Sequence, residues 1–111
     1  MRMTRESLIA RDGGICVWCG REPWPADLTA EHLLPRSRRG RTVPENLTPA
    51  CRACNKRRRT KPVVAYVRAR RHDGLAPRVD LLWAALTRLS HSTSPVHADY
   101  AARQLALLDR L

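Results

Sequence analysis

The chain has 111 residues, a formal net charge of +11 and a pI near 11.1. That length suits one small domain. No apolar run approaches the roughly 18 residues needed to span a bilayer, and the opening MRMTRESLIARDGG holds no continuous apolar stretch, so no secretory signal is expected.

The charge is concentrated. Thirteen Lys or Arg lie between Arg36 and Arg71 against one acid, Glu45, while the remainder is close to neutral. A basic block of this density is a footprint for polyanions. A membrane surface fits less well, because the basic segment lacks a broad apolar face.

In chain order, the first distinctive feature is Cys16-Val17-Trp18-Cys19, followed by Gly20, which would ease a tight turn. Trp18 and Trp24 are read as packing residues, since a chain without Phe needs its Trp residues for the core. Leu28–Leu34 reads as a short strand ending at Pro35. A loop crowded with Arg36, Arg38, Arg39 and Arg41 follows, and Asn46-Leu47-Thr48 reads as a second strand entered from the turn-like VPEN. A helix is predicted to start around Cys51 and to run through RACNKRRR, with the basic residues Lys56, Arg57, Arg58 and Arg59 on it. Pro62–His72 reads as a further helix, with Thr60 as its cap and Gly74 past its end. In RVDLLWAALTRLSHS, residues Val79, Leu82, Trp83, Leu86 and Leu89 recur at helical spacing. Ser94-Pro95 opens a last helix through VHADYAARQLALLDRL, with cap and first-turn proline in the expected places. His72, His91 and His97 are read as structural or solvent-exposed. The C-terminal helices are expected to pack on each other and on the preceding core, or else to offer a face to a second copy or a protein partner.

The four cysteines form two C-x-x-C pairs, Cys16/Cys19 and Cys51/Cys54, with 31 residues between them. Two disulfides are arithmetically open, but nothing points to secretion, and reducing compartments disfavour structural disulfides. Paired knuckles suit tetrahedral zinc, whose thiolate bonds are about 2.3 Å. Four thiolates leave no open coordination position, so such an ion would staple the fold and would not catalyse. The insert exceeds the about 15–20 residues of a minimal zinc ribbon.

With CVWCG, EHLLPRS and ENLTPACRACNKRR in this order, the chain resembles the HNH endonuclease family, of the small phage and actinobacterial type with a four-cysteine zinc site. The resemblance covers about Cys16 to Arg59, and the preceding TRESLIARDGG is also in the family style. It implies an α+β, mostly helical fold: a zinc-stapled ββα-metal (HNH/His-Me finger) core at 1–60, flanked by N- and C-terminal helices, with 61–111 packed on the core as one domain.

It further implies metal-dependent hydrolysis of DNA phosphodiesters in the cytoplasm of a bacterial or phage-infected cell. His32 resembles the general base, and an imidazole with a pKa near 6.5 suits that task. Glu31 and Asn55 match ligands of a catalytic magnesium or manganese, for which hard oxygens are appropriate. Asn46 matches the middle Asn of the motif, which holds the His in position. Arg36, Arg38, Arg39, Arg41, Lys56, Arg57, Arg58 and Arg59 are the expected phosphate contacts. Two departures stand out. Glu31 replaces the commoner Asp, and SRRG replaces SxGG, putting Arg39 at a glycine position. The competing reading is a non-catalytic zinc-containing DNA-binding module on the same scaffold.

Overall fold

A computed structural model describes residues 3–111. Helix α1 (Arg5–Asp12) starts at a reciprocal cap: Ser7 N donates to Thr4 Oγ1 (3.1 Å) and Thr4 N to Ser7 Oγ (2.9 Å), which satisfies two otherwise orphaned donors. Strands β1 (Leu28–His32) and β2 (Leu47–Cys51) pair antiparallel, from Leu28 opposite Cys51 to His32 opposite Leu47. The first strand stops two residues short of Leu34 because the chain there bends around Asn46. Leu33 N donates to Asn46 O (2.8 Å) and Leu34 N to its side-chain Oδ1 (2.9 Å). The second runs further than Thr48. It carries Pro49, which a two-stranded sheet tolerates on its edge.

Helix α2 (Arg52–Arg58) follows β2 without a loop. Cys51 is its N-cap, with Sγ accepting from Cys54 N (3.5 Å). Three further helices complete the chain: α3 (Val63–His72), α4 (Val79–Ser90) and α5 (Pro95–Leu108). Thr60 does not cap α3, whose N-cap is Pro62 with no side-chain bond. Its free N–H groups instead find partners on α5: Val63 N donates to Tyr100 Oη (3.0 Å) and Val64 N to Gln104 Oε1 (2.9 Å). Helix ends need partners, and here tertiary packing supplies them.

The core is continuous from the first cysteine knuckle to α5. Leu82, Ala85, Leu86 and Leu89 of α4 meet Tyr100, Ala101 and Leu108 of α5. Trp18 is fully buried, with Tyr66 edge-on at 5.0 Å and 69°, a favoured aromatic geometry. Trp24 overturns the packing expectation. It lies between Pro23 and Pro25, ahead of a short 3-10 turn (Pro25–Asp27), and is 81% exposed. Trp83 is also partly outside, 41% exposed, because the buried stripe of α4 runs through Leu82, Ala85, Leu86 and Leu89. Arginines lock the layers together. Arg11 of α1 donates to Pro44 O (2.7 Å) and Leu47 O (2.5 Å), and Arg88 of α4 also reaches Leu47 O (2.9 Å). Both helices therefore hold the start of β2.

Candidate active site and zinc centre

The sulfurs of Cys16, Cys19, Cys51 and Cys54 all lie within 4.8 Å of one another. Tetrahedral coordination at about 2.3 Å requires sulfurs about 3.8 Å apart, so the donor set fits a structural zinc. Burial pushes the Cys54 thiol up to about 12 and raises that of Cys16. Clustered thiols out of water resist ionisation unless a cation joins them. The knuckle is shaped by Gly20, whose N–H donates to Cys16 O (2.9 Å) at φ +75°. A Cβ there would stand 2.5 Å from Ala76 O. Val17 ties the knuckle to both sides: its N–H donates to Pro49 O (3.1 Å), and its carbonyl accepts from Arg78 N (2.9 Å). The site thus joins the segment before β1 to the start of α2.

The period-2 alternation of β1 sends Thr29 and Glu31 toward α2 and His32 the other way. Thr29 Oγ1 donates to Ala50 O (2.7 Å), so its lone pairs are free to accept from Asn55 Nδ2 (2.9 Å). In that orientation Asn55 Oδ1 lies 3.3 Å from both Glu31 carboxylate oxygens. Adjacent oxygens on an octahedral magnesium with bonds of about 2.1 Å are about 3 Å apart, so the pair suits a shared cation. Turned over, Nδ2 donates to both Glu31 oxygens (3.3 Å) and Oδ1 accepts from Thr29 Oγ1 (2.9 Å), the orientation that satisfies both ends of the amide when no cation is bound.

Glu31 is 6% exposed and has further partners. Trp18 Nε1 donates to Oε2 (3.0 Å), and Arg58 Nη1 stands 3.4 Å from Oε1. Burial raises the Glu31 carboxyl above its ordinary range, while Arg58 and Trp18 pull it back.

Arg58 corrects the sequence reading. Expected among the DNA contacts, it is 0% exposed and unavailable to phosphate. Its position is the reason: it is the last residue of a seven-residue helix lying on β1, and its side chain turns inward. The guanidinium donates to His32 O, to Leu33 O (2.5 Å) and through Nε to Lys61 O (2.9 Å), and it lies 5.0 Å from the Trp18 ring. Tyr100 also donates to Leu33 O (3.1 Å). The backbone at and after His32 is therefore gripped from α2 and α5 together. Sequence offered no signal for this, since Arg57, Arg58 and Arg59 are chemically identical until helix phase separates them.

His32 is half-buried, with Nε2 2.8 Å from Thr42 Oγ1. Its Nδ1 makes no hydrogen bond among the described residues. Burial lowers its pKa below the ordinary imidazole value, and the nearby Arg36 and Arg58 charges add to this. Asn46, fully buried, donates through Nδ2 to Leu34 O (3.1 Å) and Arg41 O (2.9 Å) while accepting from Leu34 N. One amide thus closes the loop that carries Thr42. A second brace comes from His97 of α5, which is 1% exposed and whose Nε2 accepts from Arg41 N (3.0 Å). Gly40 makes the closure sterically workable, since a Cβ there would fall 1.7 Å from Leu34 O.

Arg36, Arg38, Arg39, Arg41, Lys56, Arg57 and Arg59 are all exposed. They come from the loop that closes over His32 and from α2 with its C-cap, Arg59.

No match to the chain is found among curated proteins. No helix among the described residues is long and apolar enough to cross a membrane. The HNH endonuclease family model matches residues 16–61, the span from the first zinc knuckle to just past α2. The ββα core of this chain, residues 16–61, is thus similar to the HNH endonuclease family, with the four-cysteine cluster inside the matched span.

Proposed function

We propose that the protein hydrolyses DNA phosphodiester bonds with His32 as general base, and with Glu31 and Asn55 holding one divalent cation, magnesium or manganese. The observation that carries this reading is the convergence of the Asn55 side-chain amide on both Glu31 oxygens at 3.3 Å, one residue from an imidazole whose Nδ1 makes no hydrogen bond among the described residues. A bound cation supplies neutralisation of the phosphate and of the departing 3′-oxygen. The remaining chemistry falls to the chain. His32 Nδ1 takes the proton of the attacking water, while Thr42 orients the ring through Nε2. Asn46 keeps the Thr42 loop closed, which makes it a positioning residue. The exposed arginines and Lys56 bind flanking phosphates, a sequence-independent contribution to affinity.

Arg58 limits cation affinity. Its positive charge already offsets Glu31, so phosphate oxygens and water must complete the coordination shell. Metal binding is therefore coupled to DNA binding. Residues 61–111 serve as a buttress for the 1–60 core, since Tyr100 and His97 reach back to Leu33 and Arg41 beside the site. A thiolate zinc site suits a reducing cytoplasm.

The test is supercoiled plasmid incubated with purified protein, with and without magnesium or manganese. Metal-dependent nicked circles are expected. His32→Ala should cut roughly 10²- to 10⁴-fold more slowly, with zinc content and DNA affinity kept. Wild-type cutting by that variant would reject the site, and no cutting by the native protein under any metal would favour a binding module without catalysis.

A further inference from the structure

Trp24 is the most exposed large apolar residue among the described residues at 81%, and neither the fold nor the proposed chemistry uses it. It borders a cavity of about 480 Å³ whose walls include Pro23, Cys51 and Ala53 and whose charged residues are Arg52, Lys56 and Asp27. The Trp24 loop is fixed in place. Pro23 and Pro25 restrict its backbone on both sides, and Trp24 O accepts from Asp27 N (2.8 Å). Arg52 Nη2 donates to Ala26 O (3.1 Å) while its Nε lies 4.0 Å from Asp27, joining the loop to α2. The backbone that carries the exposed indole is therefore ordered before any ligand binds.

We infer that Trp24, with Ala53, Arg52 and Lys56, forms a stacking platform for an unpaired base of the DNA substrate, beside the cutting site. The inference rests on the nuclease reading and adds a structural preference to it. Charge complementarity selects the occupant: an apolar aromatic floor beside a rim of net positive charge, two cations against Asp27, matches a ligand that has a π-face and an anionic backbone. Lys56 follows Asn55 on α2, so the platform and the Glu31–Asn55 pair are carried by the same helix. Stacking on an aromatic side chain tolerates any base, so the platform reads distortion and not sequence.

The test compares a perfect duplex with the same duplex carrying one bulged base, by fluorescence anisotropy in a His32→Ala background that prevents cutting. With Trp24 present, the bulged duplex should bind roughly 10-fold or more tightly. Trp24→Ala should bring the ratio to about one, and Trp24→Tyr should restore most of it. Equal affinities with Trp24 present, or a ratio unchanged in Trp24→Ala, would overturn the platform. Sedimentation covers the rival occupant: self-association lost in Trp24→Ala, with the ratio intact, would assign the face to a second copy and reject the base. Plasmid nicking by the native protein reports the nuclease reading separately. Nicking with a ratio of one rejects the platform alone, whereas failure to bind either duplex overturns both.

Discussion

Arg39 occupies a left-handed conformation, φ 75° and ψ 17°, at the end of a 3-10 turn (Arg36–Arg38), with its N–H donating to Arg36 O (3.1 Å). Left-handed geometry costs an L-residue about 1–2 kcal/mol. Glycine escapes that cost but gives up about 0.5–1 kcal/mol through its greater freedom in the unfolded chain. Arg39→Gly should therefore stabilise the protein by about 0.5–1 kcal/mol, raising Tm by about 2–6 °C for a chain of this size. A side chain kept against that gradient needs a function, and Arg39 is exposed on the basic loop above His32. The same substitution should weaken DNA binding and lower the log–log salt slope by about 0.9, the release expected for one phosphate contact. Arg38→Gly is the control: it removes the same charge from a residue without positive φ, so the slope should fall while stability also falls. Urea unfolding and anisotropy across a salt series measure both quantities. Arg39→Gly that fails to stabilise would refute the strain argument, and an unchanged slope would refute the phosphate contact.

Arg58→Leu should destabilise by about 3–5 kcal/mol, because it leaves Glu31 buried without its cation; a loss below about 0.5 kcal/mol in urea unfolding would show the ion pair to be incidental. Activity should persist to lower pH than free imidazole chemistry allows: the His32 pKa is lowered, so the neutral base survives below about 6.5. The acid limb of kcat/KM should accordingly lie below that value and shift upward in Arg36→Gln; an acid limb above 6.5 in the native protein would contradict the assignment. His97 contributes to stability through the same sign. Its folded pKa is also lowered by burial, so the unfolded chain takes up the proton first, and stability should fall as pH drops below about 6.5, an effect lost in His97→Gln. Cys16→Ser or chelation should unfold the chain and not merely slow it, since structural zinc binding is on the order of 10 kcal/mol; a zinc-free protein with an unchanged melting curve would exclude the staple.

Much of this protein is legible along the chain. Paired C-x-x-C spacing announces a zinc cluster, because two thiolates separated by two residues can share one ion wherever the turn lies. Glu31 and His32 are legible as a pair, and strand alternation alone sends them to opposite faces. The helices of the C-terminal half follow from apolar period and caps, which are local properties. Other features exist only after folding. Arg57, Arg58 and Arg59 read as one basic run, yet helix phase and the end of α2 turn Arg58 inward beneath Glu31 and His32 while its neighbours remain in water. Trp18 and Trp24 look equivalent in sequence, but the close-packed space beside Tyr66 is filled by one ring, and two prolines fix the other outside. The brace of His97 on Arg41 and that of Tyr100 on Leu33 span 56 and 67 residues. Local pattern decides which elements form and which chemistry is available; contacts at such separations depend on how the helices close over the sheet, and that packing selects which of several identical side chains sits inside the site.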